Sequence, residues 1–371
     1  MFEITILSAV LWLIVLLLPW RPWSTQENLV ATHDLFNQNK KISALIPARD
    51  ESQHIEQTLR ALSSQGWLTS IIVVDDQSSD DTGGIVQNLG VTNLSVINGT
   101  NPPKGWTGKL WALQQGLPHI STELLLLLDA DIHLENGALT ALLKKQKECD
   151  YDLVSVMATL HVKTFWEKLL LPPFIYFFKL IYPFALANKK TSGVAAAAGG
   201  CVLIKTEKLK QIGEFKSLKG AVIDDCTLAK QIKNHGGETW LGLSHLVRSI
   251  RPSESLGSIW NMVARTAYTQ LNYSCALLLL CSILMLLCFV VPIVQIFHEN
   301  IYTELISLST CMCIILTYRP IVKFYNLPSV WLLTLPLASC LFLAMTWTSA
   351  IRYWCGERTR WKNRSYSNKE K

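Results

Sequence analysis

The chain has no Cys-x-x-Cys pair among its ten cysteines. These fall at positions 149, 201, 226, 275, 281, 288, 311, 313, 340 and 355, mostly in apolar stretches where a thiol packs as a small hydrophobe. That spacing argues against a zinc site or a disulfide framework. There is no Lys/Arg block interleaved with aromatics and the formal net charge is only +6, which argues against nucleic acid as a partner. The first β-rich run, 42–46, is expected to end at Pro47, which opens Pro47-Ala48-Arg49-Asp50-Glu51. A Gly-x-Gly-x-x-Gly is missing there, which weakens a dinucleotide-binding dehydrogenase reading. Internal repeats and low-complexity linkers are absent as well. The start Met1-Phe2-Glu3 lacks the basic residues of a secretory signal, and Trp20-Arg21-Pro22-Trp23 is no small-residue cleavage site.

What is present is apolar residue, 50% of the 371. Residues 4–20 are almost uninterrupted and predict an uncleaved N-terminal membrane anchor over 1–23. Arg21, Lys40 and Lys41 follow it, so the positive-inside rule puts the next domain in the cytoplasm. Membrane segments are expected again over 271–353. Residues 271–297 and 329–353 are long enough to span, and 302–318 only marginally so. A basic tail occupies 354–371, with Arg352 just before it and Arg358, Arg360, Lys362, Arg364, Lys369 and Lys371 within it. Counting charges favours a middle segment that is re-entrant or interfacial, with the tail inside.

Between these lies an expected cytoplasmic domain, 40–265. Strands are predicted at 42–46, 70–74, 93–97, 123–128 and 152–157, alternating with helices at 80–89, 107–117 and 136–147. A helix capped by Ser52 presents Ile55, Leu59 and Leu62. Such alternation predicts an α/β fold with a mostly parallel sheet flanked by helices, its ligands beyond the carboxyl ends of the strands. The segment 165–187 is apolar, but Lys168, Lys179 and prolines 172, 173 and 183 argue for an interfacial element, with a buried core segment as the alternative.

The acids fall at those strand ends. Leu124 to Leu128 precede Asp129-Ala130-Asp131, and burying that much leucine beside two carboxylates calls for a cation. Hard oxygen ligands suit Mg2+ or Mn2+ carrying a diphosphate, provided that a turn at Ala130 brings the two acids together. Asp75-Asp76 ends another strand, where a carboxylate can accept from a base or a ribose, or simply shape a turn with Ser79 and Asp80. Asp224-Asp225 opens a helix, where acids suit the dipole and one could also remove a proton from an attacking hydroxyl. Gly199-Gly200 allows close backbone approach to a ligand. Lys109, in Gly105-Trp106-Thr107-Gly108-Lys109, starts a helix that could hold phosphate, and Arg265 precedes the membrane segments.

In order, Pro47-Ala48-Arg49-Asp50-Glu51, Val74-Asp75-Asp76-x-Ser-x-Asp80-x-Thr82, Asp129-Ala130-Asp131 and Asp224-Asp225-x-x-Leu228 resemble a GT-A glycosyltransferase of family 2. The membrane segments resemble the ceramide-glucosyltransferase-like branch. Within it, Gly105 to Lys109, Asp224 to Leu228 and Met262-Val263-Ala264-Arg265-Thr266-Ala267-Tyr268 look most like hopene-associated glycosyltransferases. The resemblance implies a Rossmann-like GT-A domain and transfer of a hexose from a nucleotide-sugar, such as a UDP-sugar, to a membrane lipid, a hopanoid for instance. Asp225 would be the base of an inverting displacement. Asp76 would contact the nucleotide base with Glu51 nearby, Asp129 and Asp131 would hold ribose and metal, and Lys109, Asp224 and Arg265 would complete the donor site. Met262 and Thr266 depart from the family's Gln-x-x-Arg-Trp, which argues for transfer of a single sugar. The implied setting is a bacterial inner membrane with the catalytic domain in the cytoplasm. Alternatives are a polyprenyl-phosphate sugar transferase and a catalytically degraded membrane assembly or transport partner.

Overall fold

The computed structural model describes residues 2–31, 41–361 and 364–367. Lys40, at the edge of the expected domain, and Lys362, Lys369 and Lys371 of the expected tail lie outside the described residues. The chain forms two compact units, one built mainly from Glu27–His161 and Leu186–Pro252, the other from Met1–Gln26, Val162–Ala185 and Ser253–Thr359.

The first unit is organised by an eight-stranded sheet of β1 (Ile42–Ala48), β2 (Leu68–Asp75), β3 (Leu94–Asn98), β4 (Leu124–Leu128), β5 (Ile132–Leu134), β6 (Leu153–Thr159), β7 (Cys201–Lys205) and β8 (Thr239–Ser249). Their spatial order is β3-β2-β1-β4-β7-β6-β8-β5. The pairs β1–β2, β2–β3, β1–β4 and β6–β8 are parallel, whereas β7 is antiparallel to both its neighbours and β5 to β8. The sheet is thus mostly parallel, as expected, with three strands that periodicity did not reveal: the reversed β5 and β7, and β8, which runs parallel to β6.

The leucine run explains itself here. Leu124, Leu126 and Leu128 enter one core with Ile55, Leu59 and Leu62 of the helix Ile55–Ser63 and Leu139 and Leu142 of the helix Ala138–Glu148. Leu125 and Leu127 enter the other core, with Leu110 and Leu113 of the helix Gly108–Gly116 and Leu228 and Ile232 of the helix Asp224–Asn234. A strand covered on both faces has no polar side to present, so alternation disappears.

Two local expectations need correction. Ser52 is not the cap of the first helix: His54 holds that position without a side-chain bond, and the Ser52 N–H donates to Asp80 Oδ2 at 3.1 Å. Pro47 does not end β1, which continues against β2 to Ala48↔Asp75; only the β4 ladder stops, at Leu45↔Leu127, where Pro47 has no N–H to offer.

The second unit is helical and apolar. Three helices, Cys275–Gln295, Ile301–Phe324 and Ser329–Trp354, are long and apolar enough to cross a membrane. The middle one continues past Arg319 and Pro320 to 24 residues, about 36 Å at 1.5 Å per residue, so it is longer than its apolar run suggested. The N-terminal helix Phe2–Leu17 is a shorter apolar helix of 16 residues, anchored in its unit by Trp12, whose Nε1 donates to the Cys288 carbonyl at 2.7 Å. Segment 165–187 forms the helix Phe165–Ile181, which runs through Pro172 and Pro173, and the short helix Phe184–Ala187. A capping box between Thr164 and Glu167 starts it, and Glu167 also accepts the Ser253 N–H at 2.9 Å.

Gly116 tests the packing beneath the sheet. A Cβ there would fall on Leu45 Cδ1 and lie 2.9 Å from Val74 Cγ2. Gly116→Ala is expected to destabilise the first unit by about 1–3 kcal/mol, the ordinary cost of overpacking a core. Thermal unfolding of the detergent-solubilised protein measures it.

Candidate active site

The acids expected at the carboxyl ends of the strands are there. Asp50 and Glu51 follow β1, Asp75 and Asp76 lie at the end of β2, and Asp129 follows β4. Ala130 does lie in a turn, closed by the Ile132 N–H on the Asp129 carbonyl at 3.1 Å, but the acids on either side of it pair with different cations, Asp129 with Lys109 and Asp131 with Arg251. The turn releases the chain from β4 and hands it to β5, with Asp131 at the junction.

One cavity gathers Lys109, Asp129, Gly199, Asp224 and Asp225 over an apolar floor that includes Leu127, Leu128, Val202 and Phe215. Lys109 Nζ lies 2.6 Å from Asp129 Oδ1 and 3.5 Å from the Gly199 carbonyl. Burial works against its charge, yet Asp129, Asp224 and Asp225 hold the ammonium above the ordinary lysine range. One ammonium among several acids cannot satisfy all of them. Burial, followed by the charge of Asp224, pushes Asp225 up to about 6. Burial raises Asp129 too, against the pull of Lys109.

Asp225 is held at both oxygens. The Gly199 N–H donates to Oδ2 at 2.8 Å, and the Cys226 N–H, in the first turn of its own helix, donates to Oδ1 at 2.7 Å. The neighbouring Gly200 carbonyl accepts the Asp129 N–H at 3.0 Å, so the Gly199-Gly200 hinge ties both acids to the start of β7. A Cβ on Gly199 would lie 3.3 Å from Asp225 Oδ2 and 3.3 Å from Lys109 Nζ, which is the close approach the glycine permits.

Glu51 and Asp131 form a second group. Both bind Arg251, just beyond β8: its Nη2 bonds both oxygens of Glu51, and its Nε lies 2.7 Å from Asp131 Oδ2. Sequence reasoning missed Arg251, which is 200 residues from Glu51 and 120 from Asp131 with no motif around it. Asp76 is fully buried, its Oδ2 3.9 Å from Arg49 Nη1. Asp75, Asp80 and Asp50 shape the turn after β2. Asp75 accepts from Ser78, Asp80 from Thr82 and Ser52, and Asp50 from the Ser79 N–H at 2.7 Å. Arg265 belongs to the other unit, exposed at the end of the helix Leu256–Ala264.

A mostly parallel sheet whose strand ends carry these acids is the GT-A arrangement. Residues 39–269 match the family model described as glycosyltransferase-like family 2, and the chain belongs to that family. The fold is shared with a mannosyltransferase of Pyrobaculum calidifontis solved with GDP-Man and Mn2+. That protein is 16% identical, with a TM-score of 0.59 over 95% of this chain and 98% of its own. Among curated relatives, a 4,4'-diaponeurosporenoate glycosyltransferase of Staphylococcus haemolyticus is 32% identical over 126 residues, 33% of this chain and 33% of that protein. Its counterpart in Staphylococcus aureus is 30% identical over 144 residues, 38% of each chain. The chain thus matches little more than a third of the length of these curated relatives.

Gly199→Val should loosen the N–H bond that steadies ionised Asp225. Losing a donor to the carboxylate raises its pKa, so the midpoint of Asp225 protonation, followed by difference infrared spectroscopy of the carboxylate, is expected to move up from about 6. A midpoint that stays in place while circular dichroism reports an intact fold would take Gly199 out of this role.

Proposed function

We propose that the chain is a membrane-anchored hexosyltransferase that moves one sugar from a nucleotide-sugar, a UDP-sugar in the first instance, to a hydroxyl of a membrane lipid with inversion. The observation that carries this is the cavity where Asp225, Asp129 and Lys109 converge. Asp225 is held at both oxygens yet pushed by burial and the Asp224 charge up to about 6, which leaves it ionised at neutral pH and basic enough to take a proton. The lipid oxygen attacks the anomeric carbon as its proton passes to Asp225, and the nucleoside diphosphate leaves from the opposite face. Lys109, above its ordinary range and therefore charged, faces that leaving group. Glu51 and Asp76 are assigned to the nucleoside, Asp224 to the donor sugar, and Arg265 to the departing diphosphate.

The donor set fits Mg2+ or Mn2+. Asp129 and Asp131 offer hard carboxylate oxygens across one turn, and the described residues hold no cluster of three or more acid, His or Cys ligands. One or two carboxylates, with phosphate oxygens completing the shell, is the usual manner of such ions. When bound, the ion supplies positive charge to the diphosphate.

Residues 1–23 and 271–353 are assigned to the membrane and 40–265 to the catalytic domain, with 165–187 at the interface and 354–371 as a tail. The setting proposed is the cytoplasmic side of a bacterial cell membrane. A hopanoid acceptor follows from the resemblance of the Gly105-Trp106-Thr107-Gly108-Lys109 and Met262-Val263-Ala264-Arg265-Thr266 segments to hopene-associated enzymes. The curated relatives favour a second reading, since their names specify 4,4'-diaponeurosporenoate, an acid. An ionised acceptor of that kind, or a polyprenyl phosphate, attacks without a base.

Asp225→Asn separates these readings. With a hydroxyl acceptor, turnover is expected to fall about 10²–10⁴-fold, the range for a lost general base. The parent should lose activity as the pH drops through about 6, because protonated Asp225 cannot accept. Radiolabelled sugar donors screened against hopanoid, polyprenyl phosphate, carotenoid acid and diacylglycerol identify the acceptor. Undiminished turnover in Asp225→Asn points to an ionised acceptor. Donor binding without turnover on any lipid points to a degraded transferase acting as an assembly or transport partner.

A further inference from the structure

The two acids flanking Ala130 are each met by a different cation, and the two cations differ in kind. Lys109 is a flexible point charge on Asp129. Arg251 is a planar fork, and its two arms are spent on two acids from separate strand ends. Glu51 is only 8% exposed at its side chain, so its charge depends on that partner. The backbone fixes the same place: the Ile250 N–H donates to the Asp131 carbonyl at 2.9 Å, and Ile132 pairs with Ser249. Ile250 is therefore the residue opposite Asp131, and Arg251 follows it by one. The arginine occupies Oδ2 of that acid, and among the described residues nothing bonds Oδ1.

We propose that Arg251 is a positioning residue, whose guanidinium latches Asp131 to buried Glu51 and leaves the other oxygen of Asp131 for a divalent cation. This rests on the reading of Asp131 as a metal ligand. Partners that orient a metal-binding carboxylate ordinarily cost about 10–100-fold in affinity when lost. Lysine keeps the charge of Arg251 but cannot bridge the two acids. Glutamine keeps neither the charge nor the fork.

The test uses Mn2+ alone as probe, titrated into the full detergent-solubilised chain and followed by the free-ion electron paramagnetic resonance signal, with and without UDP. Circular dichroism accompanies every variant. Arg251→Lys and Arg251→Gln are expected to weaken Mn2+ binding about 10–100-fold. Glu51→Gln should weaken it less, and the double variant Glu51→Gln with Arg251→Lys should be no worse than Arg251→Lys alone, since both changes break one latch. Arg251 variants within twofold of the parent overturn the proposal. Tighter binding overturns it too, by making the arginine a competitor of the metal. If the Arg251 variants fail to fold, Glu51→Gln decides, and unchanged Mn2+ affinity there overturns the latch. A parent that takes up no Mn2+ under either condition sinks the metal reading itself, and this inference with it.

Discussion

Carboxylates collect at the carboxyl ends of the strands in this molecule, and like charges gathered there repel. The fold answers with two cations brought from far along the chain. Lys109, at the start of a helix, meets Asp129, and Asp129, Asp224 and Asp225 keep it protonated against burial. Arg251, just beyond β8, meets Glu51 and Asp131. The ends of β1, β4 and β8 are thereby linked by charge, although only β1 and β4 among them share ladder bonds. The compensation is incomplete on the Asp225 side, and there the carboxylate becomes more basic than usual. Burial first, and excess negative charge second, thus raise the basicity of Asp225, so what the architecture has to manage is also what tunes this acid toward neutral pH.

Much of the sheet could be read from the sequence because burial on both faces leaves an unmistakable signature. Leu124 to Leu128 have no polar alternation, since each neighbouring leucine meets a different core. The acids after β1, β2 and β4 were legible for a related reason, being charges placed where an apolar run stops. Short-range detail fared worse. Ser52 looks like a helix cap, yet its N–H is claimed by Asp80, 28 residues on. Reversed strands β5 and β7 gave no signal, because antiparallel pairing with β8 and β4 is decided by partners distant in sequence. Arg251 was invisible on the same ground: an arginine with a proline after it reads as an ordinary loop residue until β8 carries it to Asp131.

Asp225 was legible as an acid at a helix start, but its chemistry was not. The Gly199 N–H that restrains its basicity and the Asp224 charge that increases it depend on where β7 begins relative to the helix Asp224–Asn234. Gly199-Gly200 suggested close approach to a ligand, and the structure shows that part of this closeness is to the protein's own carboxylate and ammonium.

The helix Phe165–Ile181 carries Pro172 and Pro173 in its interior. Two successive residues there have no N–H, so the carbonyls one turn earlier, at Lys168 and Leu169, lose their helical donors. Hydrocarbon offers such carbonyls nothing in exchange, whereas a protein interior can. Residues Leu169 to Pro173 are all buried. The partners that bury this helix are helices of its own unit, Leu256–Ala264, Ile301–Phe324 and Leu335–Trp354, so the two prolines are tolerated only as long as those helices stay packed around it.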